Sequence, residues 1–186
     1  MFLNGGFTLV PAAHAVEYRT IIPEATGVYA LLLRRGERLL DAAGYYDCPL
    51  PHPLVHVGEF VHLYSGCSGS IGTRIRNHLV GDKRVSNFRR TLLSLEGYCG
   101  AMSAIAPFQL GANEENDLTA WLSKNLMIAF QSTSDHLAVE RGIITNLASP
   151  LNIQCRRPLP FARRLMAILR LWDGRPMAGW LQEALN

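Results

Sequence analysis

Short apolar runs bounded by turn residues predict the strands of this chain. Residues 27–33 form such a run and are rich in strand formers, and residues 37–41 are a candidate hairpin partner. Residues 60–64 and 126–130 show the same pattern. The Ser- and Gly-rich sequence at 65–69 predicts a turn that ends the second strand.

Apolar residues spaced three and four positions apart predict helices between and after these strands. Residues 70–80 place Ile71, Ile75 and Leu79 on one stripe, and Ser70 is a suitable N-cap. The same reasoning predicts further helices at 86–95, with Ser86 as the cap, and at 114–124, 135–147, 161–172 and 176–185.

This order of elements predicts an α/β (α+β) fold, in which helices flank a small three-stranded, mainly antiparallel sheet. We assign residues 1–26 to an N-terminal extension and 27–155 to the main domain, which has an insertion at about 43–58. Residues 156–186 form a basic C-terminal helical extension.

Composition fits one folded domain. The chain has 186 residues, of which 48% are hydrophobic and 18% charged, which excludes a disordered or fibrous protein. No apolar run approaches the length of a membrane span. The four cysteines lie far apart without a Cys-x-x-Cys pair, which is typical of reduced thiols, so we expect a cytoplasmic protein with no membrane partner.

Charge is unevenly distributed along the chain. The net charge is only +3, but residues 70–94 alone carry +5 and residues 156–186 carry +4. Nearly all the basic residues are arginines, whose planar guanidinium groups suit bidentate phosphate contacts. Two basic blocks indicate a polyanionic partner, although a GC-rich genome also favours arginine over lysine, and composition alone does not decide.

A group of potential zinc ligands precedes the first predicted helix. Zinc accepts cysteine and histidine, but the spacing here matches no familiar zinc module and prolines interrupt the segment, so a structural zinc is not favoured. The group consists of Cys48, His52, His56, His62 and Cys67.

Three features carry candidate chemistry. Arg74 and His78 lie one turn apart on a predicted helix, where they either bind a phosphate or form an ion pair and a packed imidazole. Glu140 lies on the apolar side of its helix, so it requires either a cation from another helix or a metal or catalytic role. The basic run at 83–90 either binds a nucleic-acid backbone or is a solvated helix start, and its cations are Lys83, Arg84, Arg89 and Arg90.

Taken together, these residues resemble the ordered motifs of the GIY-YIG nucleases. The resemblance spans residues 27–152, and five short motifs in the correct order are far more specific than any one of them. The matching segments are Gly27-Val28-Tyr29, Leu63-Tyr64-Ser65-Gly66, Arg74 to Leu79, Glu140 within a helix, and Pro150-Leu151-Asn152.

The resemblance implies metal-dependent hydrolysis of phosphodiester bonds, usually in DNA, with Mg²⁺ as the cofactor and Mn²⁺ as a substitute. It also assigns roles residue by residue. Tyr29 is the candidate general base, Tyr64 positions water or phosphate, Arg74 offsets phosphate charge, His78 assists phosphate binding or proton transfer, Glu140 is the metal ligand, and Asn152 braces the site.

The sequence departs from the family pattern at several positions. Val28 and Ser65 replace isoleucines, and Cys67 stands where many members have a lysine. Tyr29 and Tyr64 are 35 positions apart, which requires an insertion, and within it Gly44-Tyr45-Tyr46 offers an alternative first motif. We prefer Tyr29 because it lies in the better strand.

Two function classes remain at this point. The first is a Mg²⁺-dependent DNA endonuclease, with RNA still open as a substrate and a homodimer as one route to a double-strand cut. The second is a non-catalytic nucleic-acid-binding or interaction protein on a degenerate nuclease fold. An inward carboxylate such as Glu140 favours the first.

Overall fold

The computed structural model describes residues 5–34, 56–81, 84–92, 112–147, 149, 151–153 and 160–172. Its strands are β1 (Thr8–Pro11), β2 (Gly27–Arg34), β3 (His56–Val57), β4 (Phe60–Ser68) and β5 (Leu126–Ser132). Its helices are α1 (Ala12–Glu17), α2 (Ile71–Leu79), α3 (described over 87–92), α4 (Ala112–Asn125), α5 (His136–Leu147) and α6 (Pro160–Trp172).

The described residues form one five-stranded sheet in the order β1-β5-β2-β4-β3, and every neighbouring pair is antiparallel. The predicted α/β class is confirmed, and the three predicted strands are its centre. The sheet is wider than the three strands expected, because β1 and β3 extend its two edges. The predicted hairpin partner at 37–41 and the helix at 176–185 lie outside the described residues.

Both faces of the sheet are covered by helices, which explains why β2 is almost continuously buried. Tyr29 and Leu31 pack on one face with apolar residues of α1, α2, α3, α4 and α6. Val28 and Ala30 pack on the other face against Ile143 of α5. Alternate residues of β2 therefore point toward α2 on one side and α5 on the other.

The strand β4 contains a bulge at Leu63. Leu31 of β2 lies opposite Tyr64, whereas the next residue, Leu32, lies opposite His62, so Leu63 is the extra residue. As a result Leu63 and Tyr64 both belong to the face covered by α2.

Helix α2 carries the predicted stripe, since Ile71, Ile75 and Leu79 are fully buried. The capping prediction is wrong in one respect, because the Ser70 side chain does not cap the helix. Glu24 does so instead: its carboxylate accepts hydrogen bonds from the backbone N–H and the hydroxyl of Thr73, both at 2.9 Å. Hydrogen bonds from the Ser70 hydroxyl and then from Arg76 lower the pKa of Glu24 to about 2.

No helix in the described part of the chain is both long and apolar enough to cross a membrane.

Candidate functional site

The site begins at an edge of the sheet, along the second half of β4. The short strand β3 pairs only with Phe60 and Val61 of β4. After Val61, the only described strand that pairs with β4 is β2. The Asn152 amide covers part of this edge: its Oδ1 accepts from Ser65 N–H at 2.9 Å, and its Nδ2 donates to the Ser65 carbonyl at 2.7 Å. Asn152 therefore fixes β4 where the site is built.

The predicted turn at 65–69 is wrong, because β4 continues to Ser68 and pairs with β2 throughout. Gly66 lies directly opposite Tyr29. A Cβ atom at this glycine would lie 2.3 Å from the Tyr29 hydroxyl oxygen. Gly66 is thus required by the close approach of the phenol, and the small residues of this segment do not mark a turn.

Substitution Gly66→Ala is expected to destabilise the fold by about 1–3 kcal/mol, because the buried Tyr29 ring has to move. Denaturant unfolding of the variant measures this loss. Gly69→Ala is the matched control, since a Cβ there meets nothing within 4 Å. Equal unfolding free energies for the two variants would contradict the packing role of Gly66.

A buried chain of hydrogen bonds starts at Tyr29. Its hydroxyl lies 2.6 Å from Nε2 of His78 on α2, and Nδ1 of His78 lies 2.7 Å from the Ser86 hydroxyl. The same Ser86 oxygen accepts from the backbone N–H of Arg89 at 3.0 Å, which is the predicted N-cap bond of α3. Three side chains from β2, α2 and the start of α3 are therefore linked.

Aromatic rings surround the imidazole of His78. Its centroid lies 5.4 Å from Tyr29, 5.5 Å from the half-buried Tyr64 and 5.7 Å from Phe88. This burial, followed by the charges of Arg74 and Arg89, lowers the pKa of His78 to about 3. The imidazole is consequently neutral at physiological pH.

Two charged groups act on the Tyr29 phenol. Burial is the main cause that raises its pKa well above 10, and the nearby Tyr64 raises it further. Arg74 lowers the pKa through its charge and a hydrogen bond, whereas the charge of Glu140 raises it. Arg74 comes from α2 and Glu140 from α5, so charges on both faces of the sheet influence one phenol.

Glu140 is half-buried and faces β4. The Cys67 thiol donates to its Oε2 at 3.0 Å. Burial, aided by Glu140, raises the pKa of this thiol to about 12, so it stays protonated. No described cation forms an ion pair with Glu140. Of the two alternatives that the sequence left for this carboxylate, the ion pair is therefore not found within the described residues.

The turn before α3 anchors two of the predicted site residues. A guanidinium nitrogen of Arg74 donates to the Val85 carbonyl at 3.0 Å. The next residue, Ser86, contacts His78. Sequence reasoning identified Ser86 only as a helix cap, and no motif signals its contact with an imidazole eight residues earlier.

The predicted nucleic-acid-binding residues separate in the structure. Arg84 is exposed, Arg90 is half-buried, and Lys83 lies outside the described residues. The prediction for Arg89 is wrong, because its side chain is fully buried. Its guanidinium pairs with Glu115 at 2.5 Å and donates to the carbonyl of Leu79 at 2.9 Å, so it cannot reach a phosphate.

The candidate zinc ligands make other contacts where they are described. His62 is buried, and its Nε2 lies 2.8 Å from the Ser65 hydroxyl. Burial lowers the pKa of His62 to about 4. Cys67 donates to Glu140, whereas Cys48, His52 and the side chain of His56 are outside the described part. Within that part, no three His, Cys, Asp or Glu side chains form a group able to hold a metal.

Comparison with protein-family models identifies the family of the chain. A model described as the GIY-YIG catalytic domain matches residues 27–169, which include every site residue discussed above. No curated protein and no solved structure matches the chain significantly.

Proposed function

The chain belongs to the GIY-YIG nuclease superfamily, and on this premise we propose that it is a metal-dependent endonuclease that hydrolyses phosphodiester bonds in DNA. The observation that carries the proposal is that the charges of Arg74 and Glu140, from helices on opposite faces of the sheet, both act on the buried phenol of Tyr29. A fold that only binds nucleic acid has no need for this combination.

Hydrolysis of a phosphodiester requires an activated water and stabilisation of charge on the phosphate. In our proposal Tyr29 accepts the proton of the attacking water. Arg74 supports it in two ways, since it favours the ionised phenol and its guanidinium is suited to neutralise a phosphate oxygen. Tyr64 packs beside Tyr29, with ring centroids 6.4 Å apart, and orients the water or the phosphate.

The residues at the site fit a hard divalent cation. Mg²⁺ is often held by one or two carboxylates together with waters and substrate phosphates, so the single carboxylate of Glu140 is sufficient. This carboxylate is partly accessible, and its only described hydrogen-bond partner is a neutral thiol. A cation held there would offset the Glu140 charge that raises the Tyr29 pKa, and would stabilise charge on the phosphate and the leaving oxygen.

Positive charge supports a nucleic-acid substrate. Residues 70–94 carry a net charge of +5, and Arg84 is exposed beside the turn that anchors Arg74 and His78. Helix α6 exposes two more cations, Arg163 and Arg170. We propose that Arg84 and Arg90, with Lys83, contact the DNA backbone next to the cleavage site.

The test uses the full chain with supercoiled plasmid, linear duplex, single-stranded DNA and RNA. We expect plasmid cleavage with Mg²⁺ or Mn²⁺, loss of cleavage with EDTA, and recovery when excess Mg²⁺ is returned. Nicked circles that become linear only later would indicate two successive cuts, whereas direct linearisation favours a homodimer.

Other outcomes reject all or part of the proposal. A chain that binds these substrates and cuts none of them would be a non-catalytic nucleic-acid-binding protein. Cleavage restricted to RNA would keep the nuclease activity but overturn the choice of DNA as substrate.

A further inference from the structure

A short segment just before β2 contacts the starts of the two helices that carry the charged residues of the site. Residues 23–26, which we call the linking segment, belong to the N-terminal extension predicted from sequence. They precede the region matched by the GIY-YIG model, which begins at residue 27. The proposed reaction gives this segment no role, although Tyr29 follows it closely along the chain.

The linking segment satisfies the start of α2. It accepts hydrogen bonds of 2.9–3.1 Å from the first three backbone N–H groups of this helix, which have no partner inside the helix. Two acceptors are backbone carbonyls and the third is a carboxylate. The pairs are Ile71 with Ala25, Gly72 with Pro23, and Thr73 with the Glu24 side chain. The position of α2 along its own axis is therefore set by the linking segment.

Thr26 connects the same segment to two other points. Its carbonyl accepts from the N–H of Thr133, which lies between β5 and α5, at 3.0 Å. Its hydroxyl donates to the carbonyl of Gly69, which lies between β4 and α2, at 3.3 Å. The linking segment thus holds together the starts of β2, α2 and α5. These three elements carry the proposed base, its arginine and the proposed metal ligand.

Glu24 supplies the side-chain part of this connection. Its carboxylate accepts from the N–H and the hydroxyl of Thr73, and also from the Ser70 hydroxyl and from Arg76. The ion pair with Arg76 is exposed and adds little. The bonds to Thr73 are the ones that fix the helix, because the next residue is Arg74, and a shift of the helix start moves that guanidinium.

We propose that Glu24 is a positioning residue that aligns Arg74 with the phenol of Tyr29. It can do so because it lies on the segment that leads into β2 and is bonded to the residue just before Arg74. A displacement on the order of one ångström can lower the rate of an enzyme up to about 10²-fold. The catalytic consequence rests on the proposed nuclease function, whereas the alignment of β2 with α2 does not.

The first measurement needs no activity. In NMR spectra of the labelled full chain, Glu24→Ala is expected to shift the backbone amide signal of Arg74 and the ring signals of Tyr29. Glu24→Gln should keep both at their wild-type positions, because its amide oxygen can still accept from Thr73 N–H. Glu17→Ala, at an exposed position on α1, is the control and should change neither. Unchanged signals in Glu24→Ala, or equal changes in Glu24→Gln, overturn the proposal whether or not the protein cuts DNA.

A second variant disturbs the same contact from the helix side. A Cβ atom at Gly72 would lie 2.8 Å from a Glu24 carboxylate oxygen and 2.9 Å from the Ile22 carbonyl oxygen. Alanine is a better helix former than glycine, so Gly72→Ala should displace the linking segment without weakening α2, and should shift the same two signals. Gly142→Ala on α5 is the matched control, since a Cβ there meets nothing within 4 Å. Wild-type signals in Gly72→Ala would contradict the alignment.

Kinetics on folded variants test whether Glu24 acts through Arg74. We expect Glu24→Ala to lower kcat roughly 10-fold with little change in KM, and Glu24→Gln to stay close to the wild type. Arg74→Ala combined with Glu24→Ala should lose no more than Arg74→Ala alone, because the residue that Glu24 aligns is then absent. A purely structural role would add its own loss in the double variant, and such additivity would overturn the proposal.

The two proposals fail in different ways. If the wild type cuts DNA and Glu24→Ala keeps full kcat, the positioning role is rejected and the nuclease function stands. If the variants show the expected NMR changes but the wild type cuts no nucleic acid, the alignment stands and the catalytic role is rejected with the nuclease function.

Discussion

Replacement of Glu140 by glutamine is expected to abolish Mg²⁺-dependent cleavage while the protein still folds and binds DNA. Loss of the metal ligand should lower kcat on the order of 10³-fold or more, because a bound cation supplies several kcal/mol of charge stabilisation. Plasmid cleavage and a DNA mobility-shift assay on the same preparations measure the two properties separately.

The surroundings of Glu140 make this variant informative. Glutamine keeps an oxygen that can accept from the Cys67 thiol. No described cation is paired with Glu140, so removing its charge leaves no buried partner behind, and we expect unfolding to change by no more than about 0.5 kcal/mol. The substitution also removes a charge that raises the Tyr29 pKa. A lost activity therefore cannot result from a smaller ionised fraction of Tyr29.

Glu59→Gln is the matched control, since Glu59 is exposed before β4 and far from these contacts. It should cut as the wild type does. If Glu140→Gln cleaved plasmid at the wild-type rate with Mg²⁺, the carboxylate would not be the metal ligand and the proposed site would be wrong.

The central strands could be predicted from sequence because their apolar residues are the ones that the fold buries. Strand β2 is buried on both faces, so its sequence is an almost unbroken apolar run. The edge strands β1 and β3 were missed for the opposite reason. They contain four and two residues, and such short segments carry too little periodicity to be recognised.

The segment from Ser65 to Ser68 was mistaken for a turn because its small residues serve a distant contact. Gly66 leaves space for the Tyr29 ring, which comes from the neighbouring strand. Sequence patterns describe a residue's own backbone preferences, and they cannot show that a glycine is needed by a side chain more than thirty residues away.

Helical periodicity located part of the candidate site. It placed Arg74 and His78 on one side of α2 and turned Glu140 toward the sheet. Periodicity could not predict the contact between Ser86 and His78. It also could not distinguish buried from exposed cations in the basic run at 83–90. Arg89 differs from its neighbour Arg90 because the partner that buries it, Glu115, lies on another helix.

Replacement of Arg89 by alanine is expected to destabilise the fold by about 3–5 kcal/mol, because it breaks the ion pair between the buried Arg89 and Glu115. The Arg89 guanidinium also donates to the last carbonyls of α2 and to the Thr119 hydroxyl at 3.0 Å, and these acceptors would lose their partner. Stabilities of whole domains are only about 5–15 kcal/mol, so denaturant unfolding should show a large shift of the midpoint.

Arg141→Ala is the control, since this arginine is exposed on α5 and should change stability by no more than about 0.5 kcal/mol. A double variant, Arg89→Met with Glu115→Met, should be less destabilised than Arg89→Ala because both charges of the pair are removed together and apolar side chains replace them. The same measurements decide between the two interpretations of this residue. If Arg89 contacted DNA phosphates instead, its alanine variant would keep the wild-type unfolding free energy and lose affinity for DNA. Its burial between α2, α3 and α4 predicts the reverse, a fold that weakens before any phosphate contact is lost.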